Sequence, residues 1–178
     1  MLAILLASRT VVAAGNDVES LIREGISLRR EGNDQDALER FRKAYALAAT
    51  PRALAQIALA EQALGLWNDA AVHVRTALQS VADPWIAKNR AVLEEAVQTI
   101  ENHLGKLDIR GTPAGTEVHV EGRVVGVLPL THPIELPVGN TTVHLSAPGR
   151  SPITRTVTIT TDHLARETIA LQPASSDI

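Results

Sequence analysis

The chain has 178 residues, enough for one ordinary domain or two small ones, and its hydrophobic fraction of 45% is normal for a packed globular protein. It carries 17 basic and 20 acidic residues, so it lacks the basic surplus that nucleic-acid binding requires. It has no cysteine, which excludes disulfides, thiolate metal sites and cysteine nucleophiles.

The first fourteen residues have the pattern of a secretory signal peptide. Leu2–Ala7 is an apolar run, and residues 12–14 are the small residues at which signal peptidase cuts, so cleavage would leave a chain that begins at Gly15. No basic residue precedes the run and Arg9 interrupts it, which leaves open a first helix that simply begins here. We expect secretion to the periplasm or the exterior, and no stretch reaches the about 18–20 apolar residues that span a bilayer.

Two similar segments, GNDQDALERFRKA from Gly32 and GLWNDAAVHVRTA from Gly65, lie 33 residues apart. A period of that length with regularly spaced small residues indicates helix-turn-helix repeats, in which the small residues let two helices approach closely. The pattern resembles tetratricopeptide repeats over about Val18–Val81. The matching residues are Gly25, Ala37, Phe41 and Ala44 in the first unit, and Ala58, Ala70 and Ala77 in the second, with Val74 where an aromatic is usual.

Five helices are predicted in this part of the chain. Their ranges are Asp17–Glu31, Asp34–Leu47, Pro51–Leu64, Trp67–Gln79 and Pro84–Leu104. Gly32 and Gly65 are helix stops, and Asp83 before Pro84 is an N-cap followed by proline in the first turn. The last helix is interpreted as the cap of an α-solenoid over residues 15–104, with half of a third repeat as the alternative.

After Gly105 the period of the apolar residues changes from 3.6 to two, which indicates strands. The alternating apolar residues are Leu107, Ile109, Val118, Val120, Ile134, Leu136, Val143, Leu145, Val157, Ile159, Ile169 and Leu171. Turn residues such as Glu121-Gly122 separate them. The pattern predicts a small antiparallel β-sandwich over residues 105–172 and a disordered tail over 173–178. The fold class is therefore α+β in two domains.

The strand half resembles a PEGA domain along Leu107–Leu171. The segments that carry the resemblance are LDIRGTPAGTEVHVEGRVVGVLPL, IELPVGNTTVHLSAPGR and VTIT. The chain keeps Pro137 and Gly139 of the turn that gives the family its name, and it has Val138 and Asn140 in place of Glu and Ala. The resemblance implies an accessory module outside the cytoplasm with no catalytic residues. Helical repeats followed by such a domain resemble a bacterial envelope protein.

No motif for catalysis or cofactor binding is present, since the chain has no GxSxG, Walker or GxGxxG pattern and no histidine pair with zinc-site spacing. His119 and His144 alternate out of phase with the buried residues and are expected on the solvent face of one sheet. With Glu117 or Glu121 they would form a weak zinc site, and the alternative is two exposed polar residues. We therefore predict no enzyme, no cofactor and no metal.

Helical repeats bind partners on a concave face, commonly an extended peptide or a helix. The candidate groove residues are Arg23, Ser27, Arg30, Gln56, Ala60 and Gln62. The first three share one helix face, which suits an acidic or carboxylate group, and ordinary solvation is the alternative.

The sequence thus predicts a non-catalytic interaction or scaffolding module of the bacterial cell envelope that binds a protein through its helical repeats. The first alternative is cell-wall or surface-polysaccharide binding through the strand domain, where threonines offer hydroxyls but no aromatic follows Trp85 to stack on a sugar. The second alternative is a cytoplasmic adaptor, which applies if residues 1–14 are not a signal peptide.

Overall fold

The structure is a computed structural model that describes residues 3–174, with side chains described from Asp17 onward. It divides into two compact units, Met1–Ile100 and Glu101–Ile178. The helical unit contains α1 (Ala3–Arg30), α2 (Asp34–Leu47), α3 (Pro51–Ala63), α4 (Trp67–Leu78) and α5 (Pro84–Glu101). The second unit is rich in strands, so the predicted two-domain α+β layout is confirmed. None of the described helices combines the length and apolarity that crossing a membrane requires.

Consecutive helices of the first unit pack against each other, α1 on α2, α2 on α3 and α3 on α4. Two helices approach closely at Gly25 of α1, where an added Cβ would lie 2.8 Å from Cδ1 of the Phe41 ring. Phe41 is fully buried and belongs to the same core as Val18, Ile22 and Leu38. The repeat pattern predicted a small residue at position 25 and a large one at position 41. The packing gives the reason, because the Phe41 ring fills the space that a side chain at position 25 would need.

The ends of α1 and α3 have the same cap, 33 residues apart. Gly32 and Gly65 adopt φ values of 80° and 72°, a left-handed conformation that glycine reaches without steric cost. The next N–H then turns back to the helix, and the bond from Leu66 N to Glu61 O measures 2.9 Å. This is the Schellman arrangement, so each helix stops where the glycine stands.

The strand-rich unit begins earlier than predicted, because α5 ends at Glu101 and the buried Leu104 starts the first strand. The predicted tail starts at Pro173, which forms a β-bridge with Arg150, and residues 175–178 lie outside the described part. The predicted signal peptide falls on residues 1–14, whose side chains are not described. The signal peptide over residues 1–14 and the disordered tail beyond residue 174 therefore remain predictions.

Seven strands form two sheets in the second unit, counted over its described residues 101–174. They are β1 (Leu104–Thr112), β2 (Glu117–Val120), β3 (Arg123–Val127), β4 (Ile134–Pro137), β5 (Gly139–Ser146), β6 (Ile153–Ile159) and β7 (Leu164–Ala170). The orders are β4-β1-β7 and β3-β2-β5-β6. All pairs are antiparallel except β1 with β7, which is parallel and corrects the all-antiparallel prediction. A parallel pair is possible here because no hairpin joins the first and last strands.

The two sheets share one core, formed by the alternating Val, Ile and Leu residues of the strands. Val118, Val143 and Leu107 are examples with at most 1% exposure. The β2–β3 hairpin turns at Glu121-Gly122, where both residues have positive φ, 50° and 75°. Such a turn is the type I′ form that matches strand twist, so the predicted hairpin is confirmed.

One edge of β1 is only partly paired. β4 covers Leu104–Leu107 alone, and the next bond of this ladder joins Val138 N to His103 O at 3.0 Å. In an antiparallel ladder the backbone groups of alternate residues point to the same side, so odd-numbered residues of β1 face β4. Ile109 and Gly111 therefore direct their N–H and C=O groups toward a side that has no strand partner in the described chain.

Candidate functional site

The exposed face of α1 carries the first half of the predicted groove. Arg23, Ser27 and Arg30 are all exposed, and Ser27 Oγ donates to Glu31 Oε1 at 3.1 Å. Neither of the two arginines makes a hydrogen bond or ion pair with another described residue. Other arginines of this unit are paired: Arg29 with Asp34, Arg40 with Glu24, Arg42 with Glu61, Arg52 with Glu19 and Arg90 with Glu94. Two positive charges on this face are thus uncommitted within the described part of the chain.

The second half of the predicted groove lies in the helical core. Gln56 is 7% exposed, Ala60 is fully buried and Gln62 is half-buried. The cause is the central place of α3, which packs against both α2 and α4 and buries nearly every residue of its middle turns. Of the six predicted groove residues, the exposed ones are therefore the three on α1.

The structure shows a buried carboxylate that the sequence reasoning missed. Glu61 of α3 is fully buried, and its Oε1 accepts a hydrogen bond from Arg42 Nη2 of α2 at 3.2 Å. Its Oε2 lies 2.6 Å from His73 Nδ1 of α4. A buried charge is tolerated when it is paired and hydrogen-bonded, so these contacts join three helices. The available signal was that Glu61 is the only charged residue between Ala53 and Leu66.

A second ion pair brings α1, α3 and α5 together. Nη1 of Arg52, at the start of α3, lies 3.1 and 2.9 Å from the two carboxylate oxygens of Glu19 on α1. The same guanidinium lies 5.8 Å from the ring centroid of Trp85 on α5, within the range of a cation–π interaction. Its Nε is buried without a hydrogen-bond partner. Trp85 is half-buried in this contact.

The outer face of the four-stranded sheet is polar, and we refer to it as the polar face. Its residues are Glu117 and His119 on β2, Asn140, Thr142, His144 and Ser146 on β5, and Thr154, Thr156 and Thr158 on β6. The register places His119 directly opposite His144, and Thr154 on the far side of His144. The two imidazole centroids are 5.9 Å apart with an interplanar angle of 63°. The two histidines therefore share one face, as the alternation predicted.

Hydrogen bonds hold both imidazoles of the polar face. His119 Nε2 lies 3.1 Å from Glu117 Oε2 and 3.3 Å from Ser146 Oγ, while His144 Nδ1 lies 3.2 Å from Thr154 Oγ1. A serine–histidine–acid relay needs the serine and the acid on different ring nitrogens. Here both contact Nε2, so this trio is not arranged to activate the serine as a nucleophile.

A shallow depression of about 560 Å³ lies on the polar face between the two histidines and the β2–β3 turn. Its lining includes His119, Glu121, Asn140, Thr142 and His144, which offer imidazole, carboxylate, amide and hydroxyl groups. Within residues 17–174, whose side chains are described, no group of three or more His, Cys, Asp or Glu is arranged to hold a metal ion. The side chains that line the depression thus offer both donors and acceptors of hydrogen bonds.

Residues 104–175 match the family model of the PEGA domain, which confirms the predicted PEGA domain over the strand-rich unit. No curated protein matches the chain. Among solved structures, the chain is similar to "Crystal structure of the C-terminal domain of the PapC usher", with 18% identity over 40% of this chain and 99% of that chain. The TM-score is 0.24, a value at which the likeness bears on neither fold nor function.

Proposed function

We propose that the chain is a non-catalytic interaction module of the bacterial cell envelope that binds a protein partner through α1 of its helical unit. The observation that carries this proposal is the pair of exposed arginines on α1, Arg23 and Arg30, which have no acidic partner among the described residues. An acidic group of a partner protein can pair with both guanidinium groups, because Arg binds carboxylates through a planar fork of donors.

The packing of the helical unit supports the repeat interpretation on which this proposal rests. The glycine caps recur after 33 residues, and Gly25 lies against Phe41 where tetratricopeptide-like repeats combine a small residue with an aromatic one. Two repeats followed by one helix offer a short surface. The affinity for a partner is therefore expected to be modest or to depend on several contacts at once.

The envelope location is supported by two features of different parts of the chain. PEGA domains are typically found in periplasmic or extracellular proteins, and one covers residues 104–175. The apolar run and small residues of the first fourteen positions have the pattern of a signal peptide. Cleavage after Ala14 is expected to leave a mature chain that begins at Gly15.

The proposal is tested by crosslinking in the native cell with a tag at the C-terminus, followed by fractionation and mass spectrometry. We expect recovery from the periplasm, a chain that begins near Gly15, and one discrete protein partner. The variant Arg23→Ala/Arg30→Ala is expected to lose that partner.

A matched control separates this effect from a general loss of positive charge. Lys43→Ala/Lys88→Ala also removes two exposed positive charges from the helical unit, on α2 and α5. It is expected to retain the partner. Equal loss of the partner in both variants, or no loss in either, contradicts binding through α1.

The polar face favours a second candidate function, binding of a cell-wall or surface polysaccharide. Sugar hydroxyls would find the hydroxyl, amide and carboxylate groups around the depression of about 560 Å³, although no aromatic ring is present there for stacking. In the same experiment, recovery with the insoluble wall fraction and no protein partner supports this candidate. Thr142→Val and Asn140→Leu are then expected to release the chain from the wall fraction.

A further inference from the structure

The polar face carries a pair of histidines whose role is separate from either proposed function. We infer that His119 and His144 form an exchangeable two-histidine site for a divalent transition-metal ion, and that Cu²⁺ binds to it most tightly. The two residues are direct cross-strand neighbours of β2 and β5, and the depression of about 560 Å³ gives an ion and its water ligands access to both rings.

The hydrogen bonds on the polar face suit each ring for metal binding. Glu117 Oε2, which accepts from His119 Nε2–H at 3.1 Å, leaves Nδ1 of that ring with a free lone pair. Ser146 Oγ lies 3.3 Å from the same Nε2. A carboxylate that holds the second nitrogen of a metal-binding histidine is the usual outer-shell arrangement, and it fixes the tautomer and the ring orientation.

The second ring is held in the complementary way. Thr154 Oγ1 lies 3.2 Å from His144 Nδ1. In the tautomer in which Nδ1–H donates to this hydroxyl, Nε2 of His144 carries the free lone pair. The side chains that fix the two rings therefore lie on opposite sides of the histidine pair, Glu117 along β2 and Thr154 on β6. Each ring keeps one bare nitrogen, and neither bare nitrogen has a hydrogen-bond partner among the described residues.

The separation of the rings matches one shared ion. With a metal–nitrogen distance of about 2.0–2.1 Å and about 1.2 Å more to the ring centre, two rings on one ion can be at most about 6.5 Å apart. The observed centroid distance of 5.9 Å lies within that limit, so the spacing of the two rings is compatible with one shared ion.

The ligand set determines which ions suit the site. Two imidazoles supply borderline nitrogen ligands, and water fills the remaining positions, because the described residues supply no third His, Cys, Asp or Glu in position to bind the ion. A site with two protein ligands imposes little geometry of its own. The order of affinity is therefore expected to follow the Irving–Williams series, with Cu²⁺ above Ni²⁺ and Zn²⁺.

The test is a titration of the full, untagged chain with CuCl₂, NiCl₂ and ZnCl₂ by calorimetry, with paramagnetic broadening of amide NMR signals by Cu²⁺ to locate the ion. One equivalent is expected to bind, and broadening is expected around His119 and His144. His119→Gln and His144→Gln are each expected to abolish this binding. Glu117→Gln is expected to weaken it about tenfold, the usual effect of removing an outer-shell partner.

His163→Gln is the matched control, because His163 lies in the loop before β7, with a side chain that is 81% exposed, and is outside the histidine pair. Its binding is expected to equal that of the unaltered chain. Amide spectra of all variants before metal is added establish that the fold is kept. Unchanged binding in both histidine-pair variants, broadening centred elsewhere, or no binding at about 1 mM metal overturns the inference.

Discussion

The buried Glu61 gives a sharp prediction about what stabilises the helical unit. Its carboxylate has no exposure, whereas its partners Arg42 and His73 keep 52% and 34% of their side chains exposed. The cost of desolvation therefore falls mainly on Glu61. Replacing the carboxylate leaves a guanidinium and an imidazole that water can reach, but removing both partners leaves a buried charge without compensation.

The expected magnitudes follow from that asymmetry. Arg42→Met/His73→Leu should lower the free energy of unfolding by about 3–5 kcal/mol, the cost of an uncompensated buried charge. Arg42→Met alone should cost about 1.5–3 kcal/mol, the contribution of one hydrogen bond to a charged group. Glu61→Met, which replaces the carboxylate with an apolar side chain of similar size, should lie within about 1 kcal/mol of the original chain or be more stable.

The decisive variant combines all three substitutions. Adding Glu61→Met to the Arg42→Met/His73→Leu double variant should restore most of the lost stability, because the buried charge is gone. Urea unfolding followed by tryptophan fluorescence measures this, since Trp67 and Trp85 both lie in the helical unit and report on it alone. A triple variant no more stable than the double variant would refute the reasoning.

Two further predictions concern the strand-rich unit. In hydrogen exchange, the amides of Ile109 and Gly111 should exchange faster than that of Arg110, which bonds to β7, and equal protection of all three would contradict the assigned register. The pKa of Asp162 is lowered from 3.8 by the hydrogen bond from His163, so His163→Ala should raise it in a carboxyl NMR titration. The stabilisation by this contact is present above pH 3.8 and lost as the pH falls through the lower folded-state pKa. An unchanged pKa in the variant would exclude His163 as the cause.

Local signals in the sequence were sufficient to predict the elements of both units. Glycine at positions 32 and 65 stops a helix through its own backbone freedom, and the 33-residue spacing of Gly25, Phe41 and their counterparts reports pair packing. Alternation of apolar residues located the strands, because in a half-buried sheet every second side chain faces the core. These features depend on residues close to one another in the sequence, which is why a single sequence is enough to predict them.

The parts that were not predicted depend on contacts between distant segments. Gln56 and Ala60 have the same helical phase in α3 as exposed residues have in α1. They are nevertheless buried, because α3 packs against both α2 and α4. The parallel pairing of β1 with β7 joins the two ends of the unit. No local pattern encodes which strand becomes the neighbour of another over such a separation.

The two candidate surfaces of this chain differ in kind, and that difference makes them separable by experiment. On α1 the arginines have no partner among the described residues, so a bound acidic group gains Coulomb attraction that salt screens over about 10 Å at 0.1 M. On the polar face the histidines are already held by neighbours, and a metal binds through direct bonds to nitrogen rather than through long-range charge. Partner binding through Arg23 and Arg30 should therefore weaken strongly as salt is raised. Metal binding at His119 and His144 should change little under the same conditions.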